Sequence, residues 1–366
     1  MRIFLCGDVM TGRGIDQIMP RACDPVLYEP HMRSALGYLA LAERASGEIP
    51  RPASFEYVWG DALDVIAARR PDFRIINLET SITDDGTHEP KGINYRMHPG
   101  NIGCITAAEI DCCVLANNHV LDWGVSGLLD TLAALQPAGV TVAGAGVDRN
   151  AAAAPALLQG SAGRLLVFAF AYSSSGVPDH WAAKPARPGV NFLRSLGPGS
   201  GTKIAADIEA WRQPGDLVLV SLHWGPNWGY DIPQLHQAFA RELIDRARVD
   251  IVHGHSSHHP LAIEVHAGKL ILYGCGDFIN DYEGISGYAE YRPNLVLAYF
   301  VELDPRGRLL ALELAPFRLQ RFQLVRASPS ETAWLCRVLD RECRRFRGHM
   351  RMGDSGLRLL SENEGG

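Results

Sequence analysis

No apolar run in the 366 residues reaches the ~18–20 positions that span a bilayer, so a membrane-spanning helix is not expected. The opening stretch, MRIFLCGDVM, turns polar too soon for the apolar core of a secretory signal. Long blocks of Lys or Arg are missing too, and the formal net charge is -6, from 35 basic and 41 acidic residues. Nucleic acid, which needs a concentrated basic surface, is therefore not an expected partner. None of the eight cysteines (Cys6, Cys23, Cys104, Cys112, Cys113, Cys275, Cys336 and Cys343) forms a Cys-x-x-Cys pair, and several sit inside apolar runs. They read as reduced core thiols. There is no Walker loop, no Gly-x-Ser-x-Gly elbow and no His-Glu-x-x-His zinc helix. These absences leave the expectation of a cytoplasmic protein acting on a small-molecule or peptide substrate, with no nucleic-acid or membrane partner. Its oligomeric state is not written in the sequence.

What is present suits a large globular core, with 47% hydrophobic and 21% charged residues. Apolar runs at Ile3–Cys6, Phe73–Leu78, Cys112–Ala116, Thr141–Ala143, Leu165–Ala171, Leu217–Leu222, Ile251–His253 and Leu270–Tyr273 predict strands. Between them, helical spacing predicts helices over Tyr57–Arg70, over Gly127–Gln136 with Ser126 as N-cap, and over Gln234–Arg248. Alternating strands and helices predict an α/β fold with parallel or mixed sheets covered by helices. Asn294–Leu303 and Leu309–Leu319 predict a hairpin, Glu331–Arg347 an amphipathic helix, and Arg351–Gly366 a frayed tail. This divides the chain into a main domain, 1–325, and a C-terminal helix with flexible tail, 326–366. Arg21–Arg51 reads as an insertion over the site and Ser173–Ser200 as a loop or lid.

The polar residues carry the functional signal. Five apolar runs end in metal-capable side chains: Gly7-Asp8-Val9-Met10, Asn77-Leu78-Glu79, Asn117-Asn118-His119, His223-Trp224-Gly225, and His253-Gly254-His255-Ser256-Ser257-His258-His259. One Asp after a strand is ordinarily a helix N-cap. Five such endings point instead to the carboxyl edge of a sheet, where α/β folds bind ligands. A mixture of carboxylate, amide and imidazole suits a divalent cation: manganese, iron, zinc or calcium, one ion or two. Asp122, three residues after His119, is either an imidazole-orienting acceptor or a surface cap. Arg13, Trp224, Asn227 and Asp277 are candidate substrate contacts. Arg96 is another, although it and Lys91 read equally as solvated surface charges.

These motifs, with Gly144-Ala145-Gly146, Ile263-Glu264-Val265 and Leu270–Phe278, resemble the capsule-synthesis (CapA, poly-γ-glutamate synthesis) family within the calcineurin-like metallophosphoesterases. The likeness covers roughly residues 1–300. It implies a four-layer α/β/β/α sandwich. It also implies one metal held by Asp8, Glu79 and His258 and a second by Glu79, Asn118, His223 and His255, with His119 as the acid/base imidazole. Met10 stands where phosphoesterases of the broader superfamily carry His, a Met that other CapA-like proteins share. The chain departs from the family pattern with Asn227 for a usual Glu and Asp277 for a usual Asn. A thioether is a poor ligand for a hard or borderline cation. Capsule proteins are usually membrane-tethered, and without an anchor a direct role in polymer export is not expected.

The resulting expectation is metal-dependent hydrolysis of a phosphoester or of a peptide or γ-glutamyl bond, with metal-activated water and His119 as acid/base. The alternative is a metal-dependent peptide epimerase that removes and returns an α-proton, with His119, Asp8 or Asp277 as bases. A non-catalytic binding module on an inherited fold is the third.

Overall fold

The computed structural model describes residues 1–354 and 356–361. Its main strands, in chain order, are β1 (Arg2–Val9), β2 (Phe73–Leu78), β3 (Cys112–Val114), β4 (Thr141–Ala143), β5 (Gly163–Tyr172), β6 (Leu217–His223) and β7 (Ile251–His255). They continue as β8 (Ile263–His266), β9 (Lys269–Leu272), β10 (Asp277–Ile279), β11 (Leu295–Leu303), β12 (Leu309–Gln320), β13 (Gly348–Gly353) and β14 (Gly356–Ser361). The main helices are α1 (Ala35–Ser46), α2 (Asp61–Arg69), α3 (Gly124–Leu135), α4 (Ser200–Glu209), α5 (Gln234–Ala247) and α6 (Pro329–Cys343).

Two mixed sheets form the centre. The larger runs β13-β14-β12-β11-β1-β2-β3-β4, with β10 also paired to β1. Within it β1 through β4 are parallel, whereas β11 is antiparallel to β1. The smaller places β5, β6, β7 and β9 side by side in parallel, with β8 antiparallel at its edge. Period-two alternation explains the layering. Leu165, Val167, Leu217, Leu219, Ile251, Leu270 and Leu272 share one core with the larger sheet. Their neighbours Leu166, Phe168, Val218, Val220, Val252 and Ile271 pack instead with Ile204 and Ile208 of α4 and Phe239 and Leu243 of α5. The larger sheet's core also takes Val65 and Ile66 of α2, Leu128 of α3 and Leu335 of α6. The order is thus helix, sheet, sheet, helix, an α/β fold with mixed sheets flanked by helices.

Several local expectations change. The helix predicted from Tyr57 starts at Asp61, after turns over 55–60. The one predicted from Gly127 starts at Gly124, and Ser126 caps nothing; its hydroxyl donates to Trp123 O. Arg351 does not begin a frayed tail: β13 and β14 pair antiparallel, and β14 adds to β12. The reason is that Met350, Leu357 and Leu359 bury themselves in the larger sheet's core. The last stretch of that tail, 362–366, lies outside the described residues. Arg21–Arg51 contains α1, capped by Ser34, and Ser173–Ser200 is built from short turns and the strands Gly189–Val190 and Phe192–Leu193. Among the described residues no helix is long and apolar enough to cross a membrane.

Candidate metal centre

The carboxyl ends of β1, β2, β3, β6 and β7 meet at one edge, together with the start of β10. Asp8 and Asp277 stand opposite each other across the parallel β1–β10 pair. This close approach requires glycine, since a Cβ on Gly7 would fall 1.7 Å from Gly276 O. Asp8 Oδ1 accepts from Asn77 Nδ2 at 2.8 Å, and the same amide reaches Glu79 Oε2 at 3.0 Å. Asp8 Oδ2 accepts from Ser256 N at 3.2 Å. Two triads share Asp8: Asp8 with His223 and His255, and Asp8 with His258 and Asp277, donor atoms in each lying within 4.8 Å of one another. Glu79 Oε1 lies 3.8 Å from His119 Nε2 and 3.9 Å from His223 Nε2, and Asn118 Oδ1 is 3.0 Å from His223 Nε2.

A chain of hydrogen bonds assigns the imidazole tautomers. Cys6 O only accepts, so His253 Nε2 donates to it at 2.8 Å across the two sheets. With His253 neutral, its Nδ1 accepts from Ser221 Oγ at 3.1 Å. Ser221 Oγ then accepts from His255 Nε2 at 2.8 Å. The outcome is a lone pair on His255 Nδ1, facing His223 Nδ1 at 2.7 Å and Asp8 Oδ1 at 3.9 Å. An outer-shell acceptor that fixes a ligand tautomer in this way is characteristic of metal-binding histidines.

The electrostatics agree. Burial, then the charge of Asp277, raises the Asp8 carboxyl to about 7, and burial with Asp8 raises Glu79. Burial, with the charges of His119, His258 and Lys91, pushes His223 well down, and burial with His223 and His253 does the same to His255. Burial works against a charged His258 as well, but Asp277 and Asp8 hold its imidazole above the usual value. Crowded buried carboxylates with neutral imidazoles are the donor set a divalent cation stabilises. The residues present fit such an ion.

His119 sits at the rim of this cluster. Its Nδ1 is 2.5 Å from Asp122 Oδ2, an acceptor, so the proton lies on Nδ1 and Nε2 keeps its lone pair toward Glu79. Burial drives the imidazole down to about 4 despite Asp122. Lys91 pairs with Asp122 Oδ1 at 2.7 Å, donates to Asn118 O and lies against the Trp181 ring. Asn117 was legible only as part of a motif; it donates to Asn77 Oδ1 and Leu78 O while accepting from His119 N and Val120 N.

Of the expected residues, Asp8, Glu79, Asn118, His119, Asp122, His223, His255 and His258 converge. Asn227 joins them at the mouth, its Nδ2 3.0 Å from His258 Nε2. Others do not sit as expected. Arg13 is buried and its charge is spent on Asp281 and Glu29 between the Tyr38 and Tyr95 rings, so it is not held out to an anionic substrate. Arg96 donates to Asp24 O and lies over Trp123. Trp224 is core, stacked on His236 and donating to Tyr273 O; Trp228, 5.2 Å from the His258 ring, takes the wall position instead. Asp277 belongs to the donor cluster rather than to the substrate wall, and Lys91 is no surface charge. Ser221 and His253 orient His255.

A family model described as "Bacterial capsule synthesis protein PGA_cap" matches residues 2–282. A probable polyglutamine synthesis accessory protein of Mycobacterium tuberculosis is 48% identical over 348 residues, which cover 94% of this chain and 91% of the relative. The PGA biosynthesis protein CapA of Bacillus subtilis is 26% identical over 242 residues, covering 66% of this chain and 60% of that protein. Among solved structures, a 5'-nucleotidase precursor from Thermus thermophilus aligns over 90% of this chain at 14% identity with a TM-score of 0.47, and the match spans 55% of that chain. By the extent of the family match and the mycobacterial relative, the chain belongs to the bacterial capsule synthesis (PGA_cap) family.

Proposed function

We propose that the chain is a metal-dependent hydrolase that cleaves a peptide or γ-glutamyl amide, or a phosphoester, at the Asp8–Glu79–His223–His255–His258 cluster. The observation that carries this is the neutral His119 whose Nε2 lone pair faces the donor cluster while Asp122 holds the opposite nitrogen. A divalent cation bound there lowers the pKa of a bound water toward neutrality and polarises the scissile group. His119 Nε2 accepts a proton from the attacking nucleophile and delivers it to the leaving atom. Asp122 fixes the ring and stabilises the imidazolium as it forms, and Lys91 holds Asp122 in place. Asn227 and Trp228 line the mouth. The relatives' names, which refer to polyglutamine and PGA synthesis, favour the amide class of substrate.

The test is turnover of γ-glutamyl anilides, short γ-linked glutamate peptides and aryl phosphoesters by purified protein supplied with manganese, iron or zinc. The expected result is metal-dependent cleavage of one class, reduced ~10²–10⁴-fold in His119→Ala with bound metal retained. No cleavage of either class with any metal defeats the proposal. Deuterium uptake at a peptide α-carbon without bond cleavage replaces it with epimerisation.

A further inference from the structure

We propose that Asp277 is itself a cation ligand, closing with Asp8 and His258 a position separate from the one made by Asp8, His223 and His255. This rests on the metal-dependent reading of the cluster but concerns which side chain completes it. Met10, at the end of β1, offers only a thioether, and the Tyr282 hydroxyl reaches that sulfur at 3.5 Å. Asp277 stands opposite Asp8 in the β1–β10 register, and both side chains are buried. Its Oδ1 lies 2.8 Å from His258 Nδ1, close to the ~3 Å that separates two donors on one ion at bond lengths near ~2.1 Å. Its Oδ2 accepts from Asn280 Nδ2 at 2.8 Å, which fixes the carboxylate plane. The Asp8 carboxylate is common to both triads and would be shared by the two positions if both were filled. An aspartate at this position supplies the hard oxygen donor that Met10 cannot.

A merely orienting Asp277 makes a different prediction, because the Oδ1 of an asparagine still accepts from His258 Nδ1. The experiment is calorimetric titration of the metal-stripped full chain with manganese(II), with elemental analysis after desalting. The expected result is two equivalents for the unmodified chain and one for Asp277→Asn, the remaining site changing less than ~10-fold in affinity. His258→Gln is expected to lose the same equivalent, and His255→Gln the other. A folded Asp277→Asn that keeps both equivalents within ~3-fold overturns the assignment, as does a single equivalent in the unmodified chain. Should Asp277→Asn fail to fold, His258→Gln decides: loss of one equivalent upholds the second position, and retention of both overturns it. Stoichiometry does not read turnover, so the hydrolase proposal and this one fail separately.

Discussion

Ser221 has no place in a list of ligands, yet it carries the hydroxyl that links His253 to His255 in the relay that begins at Cys6 O. Removing it frees the His255 ring to take the other tautomer. Ser221→Ala is expected to leave the fold intact and to weaken manganese binding ~10–100-fold, read by calorimetry on metal-stripped protein. An unchanged affinity rejects the relay. The candidate ligands themselves were legible because Asp, Asn and His at strand ends are chemically conspicuous. Ser221 was not, because an apolar run interrupted by one serine looks like any buried strand. Arg13 misled for the converse reason: a charge near a glycine-rich turn suggests an anion, while its neutralising partners, Glu29 and Asp281, lie 16 and 268 residues away.

Strands were the more legible elements, since their apolar runs are bounded by polar motifs. Helix starts were less so: α2 and α3 begin without a side-chain cap, which leaves only the acidic Asp61 and Asp64 to mark the first turn of α2. Helix α6 carries a side-chain cap, and it runs from Pro329 to Cys343 rather than over Glu331–Arg347. Ser328 and Glu331 form a capping box, Ser328 Oγ accepting from Glu331 N at 3.3 Å and Glu331 Oε2 accepting from Ser328 N at 2.8 Å. Ser328→Ala is expected to cost about 1 kcal/mol, seen as a lower urea midpoint at unchanged slope. The β1–β10 contact tolerates far less. A methyl at Gly7 meets backbone, not a flexible side chain, so Gly7→Ala must push Asp8 and Asp277 apart. The expected loss is at or above about 3 kcal/mol, the upper end for overpacking, together with weaker metal binding. A Gly7→Ala protein with normal stability shows that the strands are not held this close. The C-terminal hairpin carries only a weak signal, in the alternation of Met350, Leu357 and Leu359 with arginine and glycine. That polar, glycine-rich stretch acquires a reason to order only when β12 offers it an edge.

Across the whole molecule, burial keeps a set of histidines neutral, and this fixes how stability responds to acid. His119, His236, His253 and His259 are each pushed down to about 4 by burial. In the unfolded chain each titrates near ~6.5. Between these values the unfolded state binds more protons than the folded one, so the stability each contributes is complete above ~6.5 and is lost as pH falls toward about 4. Asp8 and Glu79 act in the opposite direction, because their raised folded values let the native state take up protons first. His236 isolates the histidine contribution, since burial alone lowers it and it stacks on Trp224 at 4.5 Å without holding any cluster residue. Phenylalanine keeps that stack and cannot titrate. Taking about 4 folded and ~6.5 unfolded, protonation of His236 removes about 2 kcal/mol of stability between pH 7 and pH 5. His236→Phe is therefore expected to lose about 2 kcal/mol less than the unmodified protein over that interval, measured by urea unfolding at each pH in chelator. Parallel stability curves for the two proteins place the acid sensitivity elsewhere, whereas converging curves tie it to imidazoles that the fold has sealed from water.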